Sequence, residues 1–273
     1  MCYSRREFQL TESSARPFVS IIVPAHNEEG VISDCIEGLL RQDYPDSCYE
    51  VIVVDNDSTD RTAQIASHYS INYVFQDRAH NPAASRNTGA QYARGQLLAF
   101  CDADQIAHPS WLSALVQRIG HSDAGAAGPY ISLPPENGAV SEYAAQEAAF
   151  HHSAEYVVRA VGGNCLYRRN VFRALGGFDE NSAIKWGEDY DFSLRVVQRF
   201  GRSIRFVPDA IQYHRPLSSF KELLRREFNM ARAWEGVAQK HGLQESTFYL
   251  LRTFVLEILA VAAALIWALL RCP

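Results

Sequence analysis

Short, unbroken apolar runs do most to limit what this chain can fold into. They are VSIIV at 19–23, VIVV at 51–54 and QLLAFC at 96–101, and polar or acidic loops follow them. An apolar run this short reads as a strand buried on both faces, as in a parallel sheet covered by helices. Between the runs the spacing is helical. Val31, Ile32, Cys35 and Leu39 mark a helix within 28–41. A second helix, capped by Ser58 or Thr59, is expected to reach Tyr69, and a third covers 82–93. A strand at 71–75 and a helix at 109–119 with Pro109 at its start complete the pattern. Strand–helix alternation of this kind predicts an α/β fold with a Rossmann-like, mostly parallel sheet flanked by helices. Ligands of such sheets sit beyond the carboxyl ends of the strands. Asn27 with Glu28, Asp55, and Asp102 with Asp104 stand there, so acidic loops converge on one edge.

The second half is less regular. A helix is expected at 142–160, and a strand at 164–167 after Gly162 and Gly163. An acidic loop then runs into a helix at 186–200, followed by a strand at 204–207 and a short one before His214. A helix over 220–241 carries Lys221, Arg225, Arg226 and Arg232. That cationic face reads either as solvated or as a contact for diphosphate or anionic lipid. The expected division is an N-terminal extension at 1–17, a catalytic domain at 18–216 and a C-terminal helical tail at 217–273.

Several classes are disfavoured. Lys and Arg number 26 against 31 Asp and Glu, a net charge of −5, which speaks against a nucleic-acid partner. The patterns GxGxxG and GxxxxGK[ST] are absent, which speaks against a dinucleotide enzyme and a P-loop NTPase. The six cysteines form no CxxC pair, so a structural zinc is not expected. The N-terminus lacks the apolar core of a secretory signal, so a cytoplasmic catalytic domain is expected. Near the C-terminus, 254–270 reads FVLEILAVAAALIWALL with Glu257 as its one charge. As a helix, its uncharged part covers roughly 20 Å, short of a hydrocarbon core of about 30 Å. It reads as a helix buried in protein, or as one attaching the enzyme to the inner face of the cytoplasmic membrane.

Two acidic clusters carry chemistry. Asp102 and Asp104 in DAD face the same way if extended, and can share a hard divalent cation. A solvated turn is the plainer reading. Glu188, Asp189 and Asp191 in GEDYD open a helix, where carboxylates gain from the helix dipole. The same placement holds a carboxylate rigidly as a general base. His214 is either structural or a further ligand beside Asp104.

In order and spacing, VSIIVPAHNEE, VIVVDNDSTD, ASRNTGAQYARGQLLAFCDAD, GGFDE and WGEDYDFSLRVVQRFGRSIRFVPDAIQYH resemble family 2 glycosyltransferases, which have the GT-A nucleotide-sugar-binding fold. The resemblance spans 19–214. It implies that Pro24, Ala25, His26, Asn27 and Glu28 form a nucleotide-contacting segment, with Arg86 near the nucleotide. Asp55 matches the acid that accepts a hydrogen bond from the base, commonly uracil. Asp102 matches the ribose or metal side of the DxD pair, and Asp104 the ligand of Mg²⁺ or Mn²⁺. His214 matches a third ligand of some relatives. Asp189 matches the catalytic base, with Glu188 beside it. Gly162, Gly163, Asn164 and Trp186 match the region where donor sugar and acceptor meet. Two departures stand out: Asp55-Asn56 replaces the usual acid pair, and the QxxRW motif of processive synthases is absent. The implied reaction is therefore single-sugar transfer with inversion, from a UDP-sugar by preference, to a hydroxyl of a glycan or lipid-linked acceptor. The alternatives are a non-catalytic membrane-tethered scaffold of the same fold and a glycoside hydrolase, which also uses paired carboxylates. A sugar-1-phosphate nucleotidyltransferase would want a Gly-rich, basic N-terminal loop that this chain lacks.

Overall fold

The apolar runs are buried strands, and their continuity has a direct cause. In a computed structural model that describes residues 16–77, 81–133, 155–181, 184, 186–201, 203–215 and 219–243, alternate side chains of each run enter different cores. Ile21, Val23, Val51, Val53 and Ala99 pack with Ile32, Ile36 and Leu39 on one side of the sheet. Ile22, Ile52, Val54, Leu98 and Phe100 pack with Ala83, Phe172, Phe178 and Phe192 on the other. With both faces covered, a polar position needs a partner, and the buried Ser20 hydroxyl donates to Glu50 Oε1 at 2.6 Å.

In chain order the elements are β1 (Val19–Ala25), α1 (Ile32–Leu40), β2 (Tyr49–Asn56), α2 (Thr62–Ala66), β3 (Asn72–Gln76), α3 (Pro82–Tyr92), β4 (Leu97–Cys101), β5 (Gln105–Ala107), α4 (Trp111–Arg118), β6 (Gly125–Ala127), β7 (Tyr130–Ser132), β8 (Asn164–Arg168), α5 (Arg169–Ala174), α6 (Glu188–Phe200), β9 (Ile204–Phe206), β10 (Gln212–His214) and α7 (Phe220–His241). Seven strands form one sheet in the order β3-β2-β1-β4-β8-β6-β9. All neighbours pair in parallel except β8, which is antiparallel to β4 and β6. A small sheet, β5-β10-β7, lies apart from it.

The reversal of β8 positions the site. It sets Asn164, the first residue of β8, against Cys101, the last of β4. Gly162 and Gly163 therefore arrive at the acidic edge. The small sheet does the same for the chain's later half, pairing His214 with Gln105, next to Asp104.

Some expectations shift. α1 starts at Ile32 rather than Glu28, because the preceding backbone is engaged by the next loop. Asn27, Glu28 and Glu29 donate their N–H groups to Ser58 Oγ (3.0 Å), Thr62 Oγ1 (2.7 Å) and Asp60 Oδ2 (3.0 Å). Ser58 and Thr59 thus tie two loops together instead of capping a helix, and α2 has only five residues. Residues 155–160 are not helical: Tyr156 bridges Arg205, and Val157 donates its N–H to the Ile204 carbonyl at 2.9 Å. The rest of the expected 142–160 helix, the residues before 16 and the apolar run at 254–270 lie outside the described residues. Among those described, no helix is long and apolar enough to cross a membrane.

α7 matches its expected span and packs against the acidic helix. Leu223, Ala233 and Val237 are buried. A Cβ on Gly187 would sit 3.0 Å from the Ala233 Cβ, so glycine permits this approach. Lys240 and His241 both reach Asp191, at 2.6 and 2.8 Å.

Candidate active site

α3 brings Arg86 to the acidic edge. Pro82 starts the helix, and the Asn81 side chain accepts from the N–H groups of Ala83 and Ala84. The buried Arg86 guanidinium donates to Asp102 Oδ1 at 2.6 Å and to Glu188 Oε1 at 2.7 Å. One side chain therefore joins the DAD and GED motifs. Its fork geometry suits two carboxylates at once. The Phe178 ring lies 5.8 Å from the guanidinium. Asn87, next to Arg86, holds that ring's backbone: its Nδ2 donates to the Phe178 carbonyl at 2.8 Å, and its Oδ1 accepts from the Phe178 N–H at 2.9 Å. The GGF turn, with Gly176 and Gly177 at positive φ, serves this support. Burial pushes the Asp102 carboxyl up, and Asp104 adds to this against the pull of Arg86. Burial likewise pushes Glu188 up, more than Arg86 pulls it down, with Asp189 adding to the rise.

Asp189 is held by backbone. Its Oδ2 accepts from the Gly162 N–H at 3.0 Å and its Oδ1 from the Tyr190 N–H at 2.7 Å. Each carboxylate oxygen keeps a lone pair for another donor. Gly163 lies against the other motif: a Cβ there would be 2.3 Å from Asp102 Oδ2. Trp186, just before the GED stretch, has φ of 77° and a half-exposed indole. Asn164 turns its side chain into the protein. It is fully buried, accepts from Trp111 Nε1 at 2.8 Å, and donates to the carbonyls of Pro129 (2.8 Å) and Ala210 (3.1 Å). Its side chain joins β8 to the neighbouring loops instead of facing a ligand.

At the far end of the edge, Asp55 is buried and engaged on both oxygens. Oδ1 accepts from the Ser58 N–H at 3.0 Å, and Oδ2 from the Tyr73 hydroxyl at 2.7 Å. Pro24 and Ala25 close β1, and His26 Nδ1 lies 2.8 Å from the Asn56 carbonyl. Asn27 adopts φ of 57° and accepts from the Thr59 N–H at 2.8 Å.

The small sheet supplies residues that sequence reasoning missed. Gln212 pairs with Tyr130 and His214 with Ser132, while His214 also pairs with Gln105. Side chains alternate along strands, so Gln105, Tyr130, Gln212 and His214 share one face. The side-chain amide atoms of Gln212 are buried without a hydrogen-bond partner among the described residues. An unpaired buried amide costs about 1–3 kcal/mol, which water or a ligand hydroxyl would relieve. Gln105 was open to detection by its place three residues after Asp102. Three-residue strands leave no such signal for Tyr130 and Gln212.

His214 and Asp104 test the fit of a divalent cation. His214 Nε2 is 3.3 Å from Asp104 Oδ2, and its Nδ1 is 2.6 Å from the Arg215 carbonyl. A carbonyl only accepts, so Nδ1 carries a hydrogen and the neutral ring presents the Nε2 lone pair beside Asp104. Burial works against the His214 charge, but Asp104 outweighs it and raises its pKa. Glu28 is pushed up to about 7, by burial first and then by the charges of Asp104, Asp102 and Asp60. This crowding and the N,O donor pair fit a cation such as Mg²⁺ or Mn²⁺. Among the described residues no three His, Cys, Asp or Glu side chains gather as a cage, so phosphate oxygens or water would complete the shell.

The arrangement is an acidic edge that can take a cation with a diphosphate, beside a fixed carboxylate. Residues 20–176, more than half of the chain, match the family described as glycosyl transferase family 2. The chain belongs to that family. Glycosyltransferase AglE of Haloferax volcanii is 32% identical over 230 residues, covering 81% of this chain and 74% of that protein. A probable glycosyltransferase, YdaM of Bacillus subtilis, is 27% identical, with 82% of this chain matched to only 57% of its own length. Among solved structures, mannosyltransferase PcManGT from Pyrobaculum calidifontis in complex with GDP-Man and Mn²⁺ aligns at TM-score 0.67 and 19% identity, covering 95% of this chain and 77% of that one. S. aureus TarS 1-349 with UDP-GlcNAc aligns at TM-score 0.61 and 20% identity, covering 81% and 66%. At such identities these likenesses show the fold, the GT-A type expected. Family 2 membership carries glycosyltransferase activity and leaves the hydrolase and scaffold readings without support.

Proposed function

We propose that this glycosyltransferase moves one sugar from a nucleoside-diphosphate sugar to a hydroxyl of a glycan or lipid-linked acceptor, with inversion. The observation that carries the reading is the fixed Asp189 carboxylate, held by two N–H groups on the edge where Arg86 links Asp102 to Glu188. The Asp189 carboxylate takes the proton of the acceptor hydroxyl as that oxygen attacks the anomeric carbon. Arg86 keeps Asp102 and Glu188 in place while the donor binds. Asp104 and His214, with Asp102 beside them, would hold Mg²⁺ or Mn²⁺. A cation there would supply positive charge to the leaving diphosphate. A UDP-sugar is the favoured donor, supported by the match of Asp55 to the base-reading acid and by the UDP-GlcNAc bound to TarS. PcManGT, bound to GDP-Man, keeps guanosine in the test. Attachment to the inner face of the cytoplasmic membrane through 254–270 belongs to the same proposal.

The deciding experiment is a thermal-shift panel of UDP-, GDP-, dTDP- and CDP-sugars with and without Mn²⁺. Saturating donor at a hundredfold excess over its dissociation constant stabilises by about 2.7 kcal/mol. A rise with a UDP-sugar and Mn²⁺ is expected. A panel with no rise for any nucleotide would overturn the donor reading. Asp104→Ala should abolish the Mn²⁺-dependent part; an unchanged shift would sink the metal role.

A further inference from the structure

Among the described residues, the buried and half-buried arginines have oxygen partners, with one exception. Arg86 meets two carboxylates, Arg195 meets Asp191, Arg205 meets Asp123 and Glu155, and Arg168 donates to the carbonyls of Asp123 and Gly120. Arg159 meets none among the described residues. Its guanidinium lies over two aromatic rings, 5.9 Å from the centroid of Tyr190 and 5.7 Å from that of Trp234. Those rings meet with centroids 4.3 Å apart and planes tilted by 44°, joining α6 to α7. The Arg159 Nε is buried with no hydrogen-bond partner. A guanidinium has five N–H donors in a planar fork that matches carboxylate or phosphate oxygens. Leaving such donors unmatched in a partly dry place is unfavourable, and an oxyanion is the complementary group.

The place of Arg159 gives these unmatched donors a meaning. On one side of it the Ala160 N–H donates to Ser193 Oγ at 3.0 Å, and the Gly162 N–H donates to Asp189 Oδ2 at 3.0 Å. Tyr190, under the guanidinium, directly follows Asp189. The backbone that carries the arginine therefore runs on, within three residues, to the Asp189 carboxylate. Its chain neighbours Val158 and Val161 are exposed, so this stretch is reachable from solvent. The donor edge already has its own charges: Arg86 at Asp102 and His214 at Asp104.

We propose that Arg159, on the Tyr190–Trp234 platform, is a binding site for an oxyanion of the acceptor, a phosphate or a carboxylate near the attacking hydroxyl. The site rests on the glycosyltransferase reading for its role, but not for its existence. It sets acceptor choice: neutral sugars leave the guanidinium unmatched, and acidic or phosphate-bearing ones satisfy it.

The test uses the full chain and two simple probes, inorganic phosphate and acetate, without divalent metal. Tryptophan fluorescence is followed in the wild type, Arg159→Gln and Arg159→Lys. A saturable response is expected in the wild type, weakened by about tenfold or more in Arg159→Gln and partly kept in Arg159→Lys. A response to phosphate alone identifies a phosphate-bearing acceptor; a comparable response to acetate identifies a carboxylate. UDP and GDP binding with Mn²⁺ is measured on the same three proteins and is expected to be unchanged. No saturable response in the wild type overturns the proposal. So does a response that Arg159→Gln retains; Arg159 then only staples α6 to α7, seen as a lower melting temperature in Arg159→Gln. If the anion response stands while the wild type binds no nucleotide, the donor reading fails and this site does not.

Discussion

Arg86 brings one guanidinium to carboxylates from both halves of the chain, Asp102 at 2.6 Å and Glu188 at 2.7 Å. Burial makes the arrangement sensitive, because removing Arg86 leaves the buried Glu188 carboxylate without its cation. Arg86→Met should cost about 3–5 kcal/mol in urea unfolding, and Arg86→Lys should cost less because it keeps the charge but not the fork. Equal unfolding midpoints for all three proteins would contradict this account. Asp189 gives a second prediction at the same scale. Asp189→Asn should lower the transfer rate by about 10²–10⁴-fold while donor affinity stays near wild type. The variant loses one of two backbone bonds, so its melting curve should be compared before the rates are read. Near-wild-type turnover would remove Asp189 from the base role. Neither role was fully legible locally. The SRNTG segment placed Arg86 near a nucleotide, whereas the structure also makes it the link between two acidic motifs.

At the scale of elements, α7 is fastened to the opening of α6 by charge. Burial would raise the Asp191 carboxyl, but bonds from Lys240, His241 and Arg195 outweigh it and hold it below its ordinary 3.8. A depressed carboxyl contributes stability above its unfolded value and loses it as pH falls through the folded one. The wild type should therefore lose stability in acid below 3.8, and Asp191→Asn should show a flatter profile there with lower stability at neutral pH. Melting temperatures across an acid series check the slope; parallel profiles would refute it. The β4–β8 junction is tested by Gly163→Ala. Its new Cβ would fall 2.3 Å from Asp102 Oδ2 and 2.7 Å from Gln105 Nε2. The strain should cost about 1–3 kcal/mol and weaken donor binding, as calorimetry with the preferred nucleotide would read. The same junction gives the Asn164 side chain a structural task that the sequence did not show. A polar residue after two glycines resembles a ligand group, but its hydrogen bonds go to Trp111, Pro129 and Ala210, which come close only once β8 has reversed.

For the whole molecule, the strands β1, β2 and β4 were set by the chain itself, because a run apolar on successive positions facing both ways is satisfied between two cores. The acidic residues at their ends were set with them, since a buried strand must end where its polar loop begins. The family was legible for the same reason, in motifs that sit on those ends. The partners of those motifs were decided by tertiary structure alone. Glu188 meets Arg86 across 102 residues, and Gly162 meets Asp189 across 27. The platform under Arg159 joins Tyr190 to Trp234 from separate helices. The three-residue strands that bring His214 to Asp104 have too little length for a period and take their register from the small sheet. Burial and strand endings are local consequences of hydrophobicity, which a sequence carries residue by residue. A hydrogen bond or an ion pair needs two groups within about 3 Å, and for groups far apart in the chain only the packed fold sets that distance.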